Sequence, residues 1–200
     1  MSSSFEINPD YVKSLTSFTD SFLCDLDDNI FNICFTKLIF KQIQNNSNKT
    51  EKLLFELKND SNNNINEEIK QKSKEIKDIY KNPRMLRYHL DPDILDLNLK
   101  LTLEYKNEGK KPLSLKMIEN HYHDNQLIMQ FFHDFGFCIP HSVNQQDITY
   151  KFNSHEIDKL SKSKSSFEIK TDTFFFANDK LIIHNKTLFY FSKNNNLLHK

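Results

Sequence analysis

The stretch LDLNLKLTLEY, residues 95–105, alternates apolar and polar side chains at every position. Leucines and one tyrosine occupy the odd positions, from Leu95 to Tyr105, and Asp, Asn, Lys, Thr and Glu occupy the even ones. Successive side chains of a β-strand point to opposite faces of a sheet, so a period of two predicts a strand with one buried and one wet face. Such a strand is typical of an antiparallel sheet that covers a core with one side.

Further short runs of strand-type sequence lie on both sides of this stretch. They predict strands at 30–40, 53–57, 114–123, 128–139, 173–176, 180–184 and 187–192, with a turn at 177–179. In the first of these, the alternation changes parity after Phe35, which indicates a bulge or a strand buried on both faces. In the run 128–139 the alternation places Gly136 on one face, and on the other face we expect Phe131, His133, Phe135, Phe137 and Ile139.

An amphipathic helix is predicted at the N-terminus, over residues 8–23. Asn8 can cap it, Pro9 suits its first turn, and apolar side chains recur at helical spacing. The rest of the chain shows no alternation of strands with helices, which excludes a doubly wound parallel fold. The pattern as a whole therefore predicts an all-β sandwich with a short N-terminal helix.

The domain organisation follows from a length of 200 residues, which favours one domain with appendages. We expect a helical segment at 1–24, a β-sandwich at 25–192 and a polar tail at 193–200. The charged and Asn-rich run 59–82 is expected to be an insertion loop with a marginal, partly unordered helix. Residues 44–50 are expected to form a polar turn, and residues 155–164 a short helix or loop.

Composition excludes several classes of function. The only two glycines, Gly109 and Gly136, are far apart, so neither a dinucleotide-binding fingerprint nor a phosphate-binding Walker loop is present. The 27 basic residues balance 27 acidic ones, which argues against nucleic acid as a partner. The 18 phenylalanines must be buried in a core or around a ligand, and composition does not distinguish these two possibilities.

The cysteines and the apolar segments predict a reduced, cytoplasmic protein without integral membrane association. The three cysteines are not paired in a C-x-x-C spacing, and the first residues lack the pattern of a secretory leader. Apolar runs stay well short of the roughly 18 residues of a membrane-spanning helix. We expect buried, unreactive thiols.

One polar cluster has two readings. Glu119, His121 and His123 share a strand face, with Asp124 and His133 nearby, and these are residue types that bind zinc or transfer protons. They could serve a metal-dependent hydrolase, or they could be a polar patch at the mouth of the sandwich. The triplet 174–176, three phenylalanines, likewise predicts either a strand covered on both faces or one that lines a cavity.

Five sequence blocks resemble a known family. They are LCDLDDNIFNICFTKLIF (23–40), RYHLDPDIL (87–95), MIENHY (117–122), FHDFGFCIP (132–140) and TDTFFFANDKLIIHNK (171–186). In this order they closely resemble the uncoordinated-119 (retinal gene four) lipid-binding chaperones, which belong to the superfamily of the delta subunit of the rod cyclic-GMP phosphodiesterase.

The resemblance implies an immunoglobulin-like β-sandwich with an internal hydrophobic pocket for the N-terminal myristoyl chain of a client protein. It implies release of the client by a GTP-bound Arf-like GTPase, commonly during transport to cilia or other membranes. No reaction is catalysed, and no cofactor is implied. A sandwich with a solid core that only binds proteins remains an alternative.

The resemblance also implies site residues. Tyr88, Glu119 and His121 match positions that contact the head of the cargo peptide, and the positions that match the lipid-binding wall are Tyr88, Leu90, Ile94, Phe135, Phe137 and Phe175. Two residues differ from the family pattern: Asn120 replaces an arginine and Phe175 replaces a tyrosine. The loss of these two polar groups affects peptide preference more than lipid binding.

Overall fold

β-Strands are the main secondary structure of the residues that the structure describes. The computed structural model describes residues 6–43, 50–58, 84–152, 160 and 165–193. Its elements in these ranges are α1 Pro9–Lys13, β1 Ile33–Ile43, β2 Glu51–Lys58, β3 Met85–Leu90, β4 Asn98–Asn107, β5 Leu113–His123, β6 Gln126–Cys138, β7 Val143–Lys151, β8 Ser166–Ala177 and β9 Lys180–Ser192, with 3₁₀ turns at Leu26–Asp28 and Pro92–Asp96.

The strands form two sheets that pack face to face. A four-stranded sheet has the order β2-β1-β4-β7, and a five-stranded sheet has the order β3-β9-β8-β5-β6. Neighbouring strands are antiparallel except β3 and β9, which run parallel. The main core lies between the sheets. The predicted all-β, immunoglobulin-like sandwich is confirmed.

Strand β4 has the alternation that its sequence predicts, but it begins later. Leu99, Leu101 and Leu103 are buried between the sheets. Leu95 was expected to start this strand and instead lies in the 3₁₀ turn Pro92–Asp96, because Pro92 follows Asp91, whose side chain accepts a hydrogen bond from the Asp93 amide and caps the turn. Leu95 is still buried from this position.

The change of parity in β1 is a β-bulge. Phe35 pairs with Tyr105 and Lys37 pairs with Glu104, so Thr36 is the extra residue. An extra residue reverses the faces of all that follow it, which lets Phe35 and Leu38 both pack on the core. The bulge that the sequence pattern predicted is confirmed.

A second bulge corrects the expected orientation of Phe137. Leu115 of β5 pairs with Gly136 and Lys116 pairs with Asp134, so Phe135 is the extra residue of β6. Gly136 has a φ of 70°, a left-handed conformation that favours glycine. After the bulge, Gly136 and Cys138 face the interior, and Phe137 faces outward and is 79% exposed. The expectation that Phe137 faces the interior is wrong.

The N-terminal helix is shorter than predicted. Asn8 caps it by accepting a hydrogen bond of 2.9 Å from the Tyr11 amide, but α1 ends at Lys13. Residues 14–25, which we call the strap, then cross the outer face of the five-stranded sheet. Serines and threonines are frequent here, and their hydroxyls compete with helical hydrogen bonds. The strap backbone bonds instead to side chains of the sheet, among them Asp172 and His184.

The C-terminal hairpin has the predicted turn. Asn178 and Asp179 have φ angles of 49° and 63°, as a two-residue type I′ turn requires. Strand β9 then continues from Lys180 to Ser192 without the break that the sequence suggested. The predicted features at 44–49, 59–82, 155–159, 161–164 and 194–200 lie outside the described residues.

The phenylalanine triplet on β8 is covered on both faces, and one side lines a cavity. Phe175 packs in the core between the sheets. Phe174 and Phe176 are fully buried on the outer face, in a cluster with Val12 of α1 and Cys24 of the strap. Both expectations for the triplet are therefore met: the strand is covered on both faces, and its inner residue Phe175 also lines a cavity between the sheets.

Candidate functional site: an apolar cavity between the sheets

A cavity of about 180 Å³ lies between the two sheets. Its walls are mostly aliphatic and aromatic side chains, with a few polar groups on the five-stranded sheet. The lining residues are Leu38, Phe40, Phe55, Leu86, Tyr88, Leu90, Ile94, Leu95, Leu99, Leu101, Leu103, Met117, Glu119, His121, Met129, Tyr150, Phe152, Ile169, Thr171, Thr173, Phe175, Asn185, Thr187, Phe189 and Phe191.

A chain of stacked rings joins the sheets on one side of the cavity. Phe40 of β1 stacks on Phe55 of β2 with ring centroids 5.3 Å apart, and Phe55 stacks on Tyr88 of β3 at 5.5 Å. Tyr88 continues the stack to Phe189 of β9 at 5.6 Å. Burial raises the pKa of Tyr88 to about 12, so its hydroxyl stays protonated. These rings make one wall of the cavity apolar.

A second aromatic group bridges the sheets on the opposite side, between β6 and β7. Phe131 meets Tyr150 edge to face with centroids 5.1 Å apart, and Phe152 stacks on Tyr150 at 5.9 Å. Such aromatic pairs add roughly 0.5–1.5 kcal/mol each beyond their buried area. The cavity is thus flanked by aromatic groups along both pairs of sheet edges.

Glu119 is the acidic group of the cavity wall. The Tyr150 hydroxyl donates a hydrogen bond of 2.5 Å to its carboxyl group, and Thr173 contributes a second hydrogen bond. Burial raises the pKa of Glu119 to about 7, while the hydrogen bonds from Tyr150 and Thr173 act in the opposite direction. Near neutral pH this group can therefore accept hydrogen bonds in either protonation state, and it can donate one when protonated.

His121 lies two residues further along β5 on the same face. Its Nδ1 is 2.9 Å from the Thr171 hydroxyl, and burial lowers its pKa to about 4, so the ring is neutral. Among the described residues its Nε2 has no hydrogen-bond partner, although it is buried. A buried polar atom without a partner costs roughly 1–3 kcal/mol, which a ligand that supplies the partner would recover.

The structure brings most of the sequence-predicted site residues together at this cavity. The residues Tyr88, Leu90, Ile94, Glu119, His121 and Phe175 all belong to its wall. Phe135 points inward but stacks on Tyr105 at 5.8 Å, away from the cavity, and Phe137 is on the surface. Contact of these residues with lipid or peptide stays a prediction.

Position 120, where the family pattern has arginine, does not face the cavity. Asn120 points to the outer face of the sheet, where it is buried and donates a hydrogen bond of 2.8 Å to the Val12 carbonyl. The substitution therefore acts on the packing of the N-terminal segment. At the other altered position, Phe175 does face the cavity, and it brings an apolar ring where the family has a phenol.

Sequence reasoning missed several cavity residues, of which Tyr150 is the most important. Tyr150 follows Ile148 at a period of two in β7, and both are buried, so the alternation was the available signal. Its pairing with Glu119 joins β7 to β5, which lie in different sheets. Sequence spacing alone does not indicate such a contact.

The polar cluster proposed for a metal site is divided in space. Nδ1 of His123 lies 2.8 Å from the Glu168 carbonyl oxygen, and its ring is perpendicular to that of Phe167 with centroids 6.3 Å apart. His123 is absent from the cavity wall that Glu119 and His121 form. Within the described residues, no three or more His, Cys, Asp or Glu side chains converge as a metal site requires.

The thiols and the helices add two further observations. All three cysteines are free, and burial raises the pKa of Cys24 to about 11 and also raises that of Cys138, which makes these two thiols poor nucleophiles. In the part of the chain that the structure describes, no helix combines the length and apolar character needed to cross a membrane.

Comparison with known proteins places this cavity in a family context. The model of the family described as GMP-PDE, delta subunit, matches residues 27–191. The chain is 33% identical over 187 residues to protein unc-119 homolog B-B of Xenopus laevis, covering 90% of this chain and 72% of that protein. It is 33% identical over 183 residues to human protein unc-119 homolog B, covering 90% and 70%. It is 32% identical over 186 residues to protein unc-119 of Caenorhabditis elegans, covering 90% and 78%.

These relationships confirm the resemblance that the sequence blocks indicated. The matched region spans both sheets, and therefore every strand that lines the cavity. Family and relatives together support a lipid-binding role in protein trafficking. The chain belongs to the GMP-PDE delta subunit family and, within it, is similar to the unc-119 proteins.

Proposed function

We propose that the protein is a carrier for N-myristoylated client proteins and that the acyl chain is buried in the cavity between the sheets. The observation that carries this proposal is an apolar cavity with a small buried polar group, Glu119 and His121, on one wall. Ligand sites commonly combine apolar walls with a few polar groups that orient the ligand. The proposed activity is binding, without catalysis or a cofactor.

The cavity volume and the energetics of lipid burial support the proposal. A cavity of roughly 150 Å³ with apolar walls is large enough to bind benzene, and this cavity has about 180 Å³. A fourteen-carbon chain is longer than benzene, so the aromatic walls must move apart when it enters. Burial at ~0.8 kcal/mol per CH₂ supplies roughly 10 kcal/mol of gross driving force for that change, before ordering costs.

The free energy of burying the acyl chain is also large enough for the protein to compete with membranes for it. A single myristoyl chain binds a bilayer only marginally, with a binding constant of about 10⁴ M⁻¹. A carrier that encloses the chain more completely can therefore extract the client and keep it in solution. The Glu119 carboxyl group and Nε2 of His121, which has no hydrogen-bond partner within the described ranges, would engage the amide groups at the start of the client peptide.

Release of the client is proposed to depend on a GTP-bound Arf-like GTPase. Such a partner can release the ligand only by favouring a state of the carrier that binds the ligand less well. The coupling is reciprocal, so the client must weaken binding of the GTPase by the same factor. We place this cycle in the cytoplasm, with delivery to cilia or other membranes.

The decisive experiment is native mass spectrometry with three matched peptides. The peptides share one glycine-initiated sequence and carry an N-terminal myristoyl group, an N-terminal acetyl group, or a C-terminal prenyl group with a free N-terminus. We expect a one-to-one complex with the myristoylated peptide, and Glu119→Ala should weaken it by roughly 1–3 kcal/mol. Equal binding of the acetylated peptide would refute lipid recognition, and stronger binding of the prenylated peptide would refute the choice of acyl group.

A further inference from the structure

The strap is attached to the five-stranded sheet directly behind the cavity. Thr19 of the strap donates two hydrogen bonds to the Asp172 carboxylate, one from its amide at 3.0 Å and one from its hydroxyl at 3.1 Å. The Leu23 amide donates to Nδ1 of His184 at 3.0 Å. Arg84 donates to the Cys24 carbonyl at 2.7 Å. The strap is thus held by polar bonds in addition to apolar packing.

Three sheet residues form the anchor of the strap: Asp172, His184 and Lys186. The side chains of Asp172 and His184 are fully buried, and that of Lys186 is 3% exposed. Nε2 of His184 lies 2.9 Å from the Asp172 carboxylate, and Nζ of Lys186 lies 3.4 Å from it. Lys186 also donates to the hydroxyl of Thr19 at 2.6 Å and to its carbonyl.

The anchor is complete only when the strap is in place. A buried carboxylate and a buried ammonium need their full set of hydrogen bonds, since a missing partner leaves a costly uncompensated charge. Here Thr19 supplies partners to both charges at once. The ring of Phe18 also lies 3.9 Å from Nζ of Lys186. Removing the strap would therefore take these hydrogen bonds from both Asp172 and Lys186 and leave, among the described residues, only the contacts of Asp172 with His184 and Lys186.

The anchor and the polar wall of the cavity share the same strand segments. Successive side chains of a strand point to opposite faces, so each anchor residue has neighbours that face the cavity. Asp172 lies between Thr171 and Thr173, which hold His121 and Glu119 respectively. Lys186 lies between two residues of the cavity wall, and Asn120, which bonds to the Val12 carbonyl, lies between Glu119 and His121.

We propose that docking of the strap and occupation of the cavity are energetically coupled, with Asp172 as the positioning residue that joins them. A shift of the β8 backbone at Asp172 displaces Thr171 and Thr173 together, and with them the hydrogen bonds that orient His121 and Glu119. A seated strap therefore holds the cavity in its binding geometry, and a lifted strap lowers its affinity. The identity of the ligand rests on the proposed function, but the coupling does not.

The first test compares ligand affinity in two strap variants. Thr19→Val removes the hydroxyl that bridges Asp172 and Lys186 and keeps the shape of the side chain, and Ser17→Ala changes an exposed position of the same strap. The probes are a fluorescent N-myristoylated glycine peptide and the apolar dye 1-anilinonaphthalene-8-sulfonate. We expect Thr19→Val to weaken binding at least about fivefold, the lower end of typical allosteric coupling, and Ser17→Ala to leave it unchanged.

The second test uses the reciprocity of the coupling. A saturating probe should slow hydrogen exchange of the Thr19 and Leu23 amides by a similar factor, because the strap opens less often when the cavity is filled. Asp172→Asn serves as a second variant, and near-ultraviolet circular dichroism verifies that each protein is folded at the assay temperature. A destabilised but folded protein would keep its dissociation constant unless the anchor positions the cavity.

The outcomes separate this inference from the proposed function. If the dye binds with strap dependence and the peptide does not bind, the proposed function fails and the coupling stands. If Thr19→Val binds both probes within twofold of the unaltered protein, or if a bound probe leaves exchange of the two amides unchanged, the coupling is wrong. Failure of both probes to bind the unaltered protein would also overturn it.

Discussion

Replacing Glu119 with glutamine should change the way stability depends on pH. Glu119 borders the cavity, so the part of its side chain that remains accessible faces the cavity. Burial raises its pKa from 4.5 to about 7. A carboxyl group whose pKa is raised by folding stabilises the protein in its protonated form. That contribution is complete below pH 4.5 and is lost as the pH rises through about 7.

The size of this effect follows from the same pKa values. The difference between 4.5 and about 7, at about 1.36 kcal/mol per pH unit, corresponds to roughly 3 kcal/mol of unfolding free energy. Relaxation of the surrounding protein lowers the cost of burying the ionised group, so this value is an upper bound. Glutamine stays neutral and can still accept the hydrogen bond from Tyr150. We therefore expect Glu119→Gln to be nearly neutral at pH 4.5 and to gain up to roughly 3 kcal/mol by pH 8.

The assay is urea unfolding of both proteins at a series of pH values between 4.5 and 8.5. The difference between the two unfolding free energies removes the contributions of groups that the proteins share. Glu108→Gln, at an exposed position, is the matched control and should show a flat difference. A flat difference for Glu119→Gln as well would refute the argument that burial of this carboxyl group controls its ionisation.

Two further predictions concern the same walls. Burial lowers the pKa of His121 from 6.5 to about 4, so its neutral ring stabilises the fold above pH 6.5 and this contribution is lost as the pH falls towards 4. In His121→Gln the midpoint of urea unfolding should therefore change less between pH 6.5 and pH 4 than in the unaltered protein. An unchanged dependence of the midpoint on pH would contradict the assignment. Phe175→Ala should lower the unfolding free energy by about 3–5 kcal/mol, because Phe175 is buried between the sheets. Phe137→Ala should change it by less than about 0.5 kcal/mol, because Phe137 is exposed. Equal losses in thermal unfolding would show that the inward and outward orientations of these two rings are wrong.

The local pattern of the sequence predicted those features that depend on neighbouring residues. The alternation of β4 around Leu101 and the turn at Asn178 and Asp179 both arise from the backbone preferences and side-chain directions of a few consecutive residues. The bulge at Thr36 belongs to the same class, because an extra residue changes the apolar parity within one strand.

The wrong predictions have a common physical cause, because in each case tertiary contacts override the local pattern of the sequence. Apolar spacing predicted a helix as far as residue 23, but the strap gains more from bonding to Asp172 and His184 than from helical hydrogen bonds. The inward face predicted for Phe137 failed because the pairing of β6 with β5 places a bulge at Phe135. The alternation of apolar residues in β6 continues without interruption, and the available signal was Gly136, because an isolated glycine inside a strand pattern suggests a bulge.

The candidate site shows the same difference between local features, which the sequence predicts, and contacts between distant residues, which it does not. The sequence by itself determined an all-β sandwich, a reserve of buried aromatic surface and, through the family blocks, the positions of Tyr88, Glu119 and His121. Only the tertiary structure decided that Tyr150 bonds to Glu119 across the cavity and that the strap anchor lies behind the same strand segments. The physical reason is that strand alternation specifies which face a side chain takes, whereas the partner across a sheet or between sheets is set by register and packing over the whole chain.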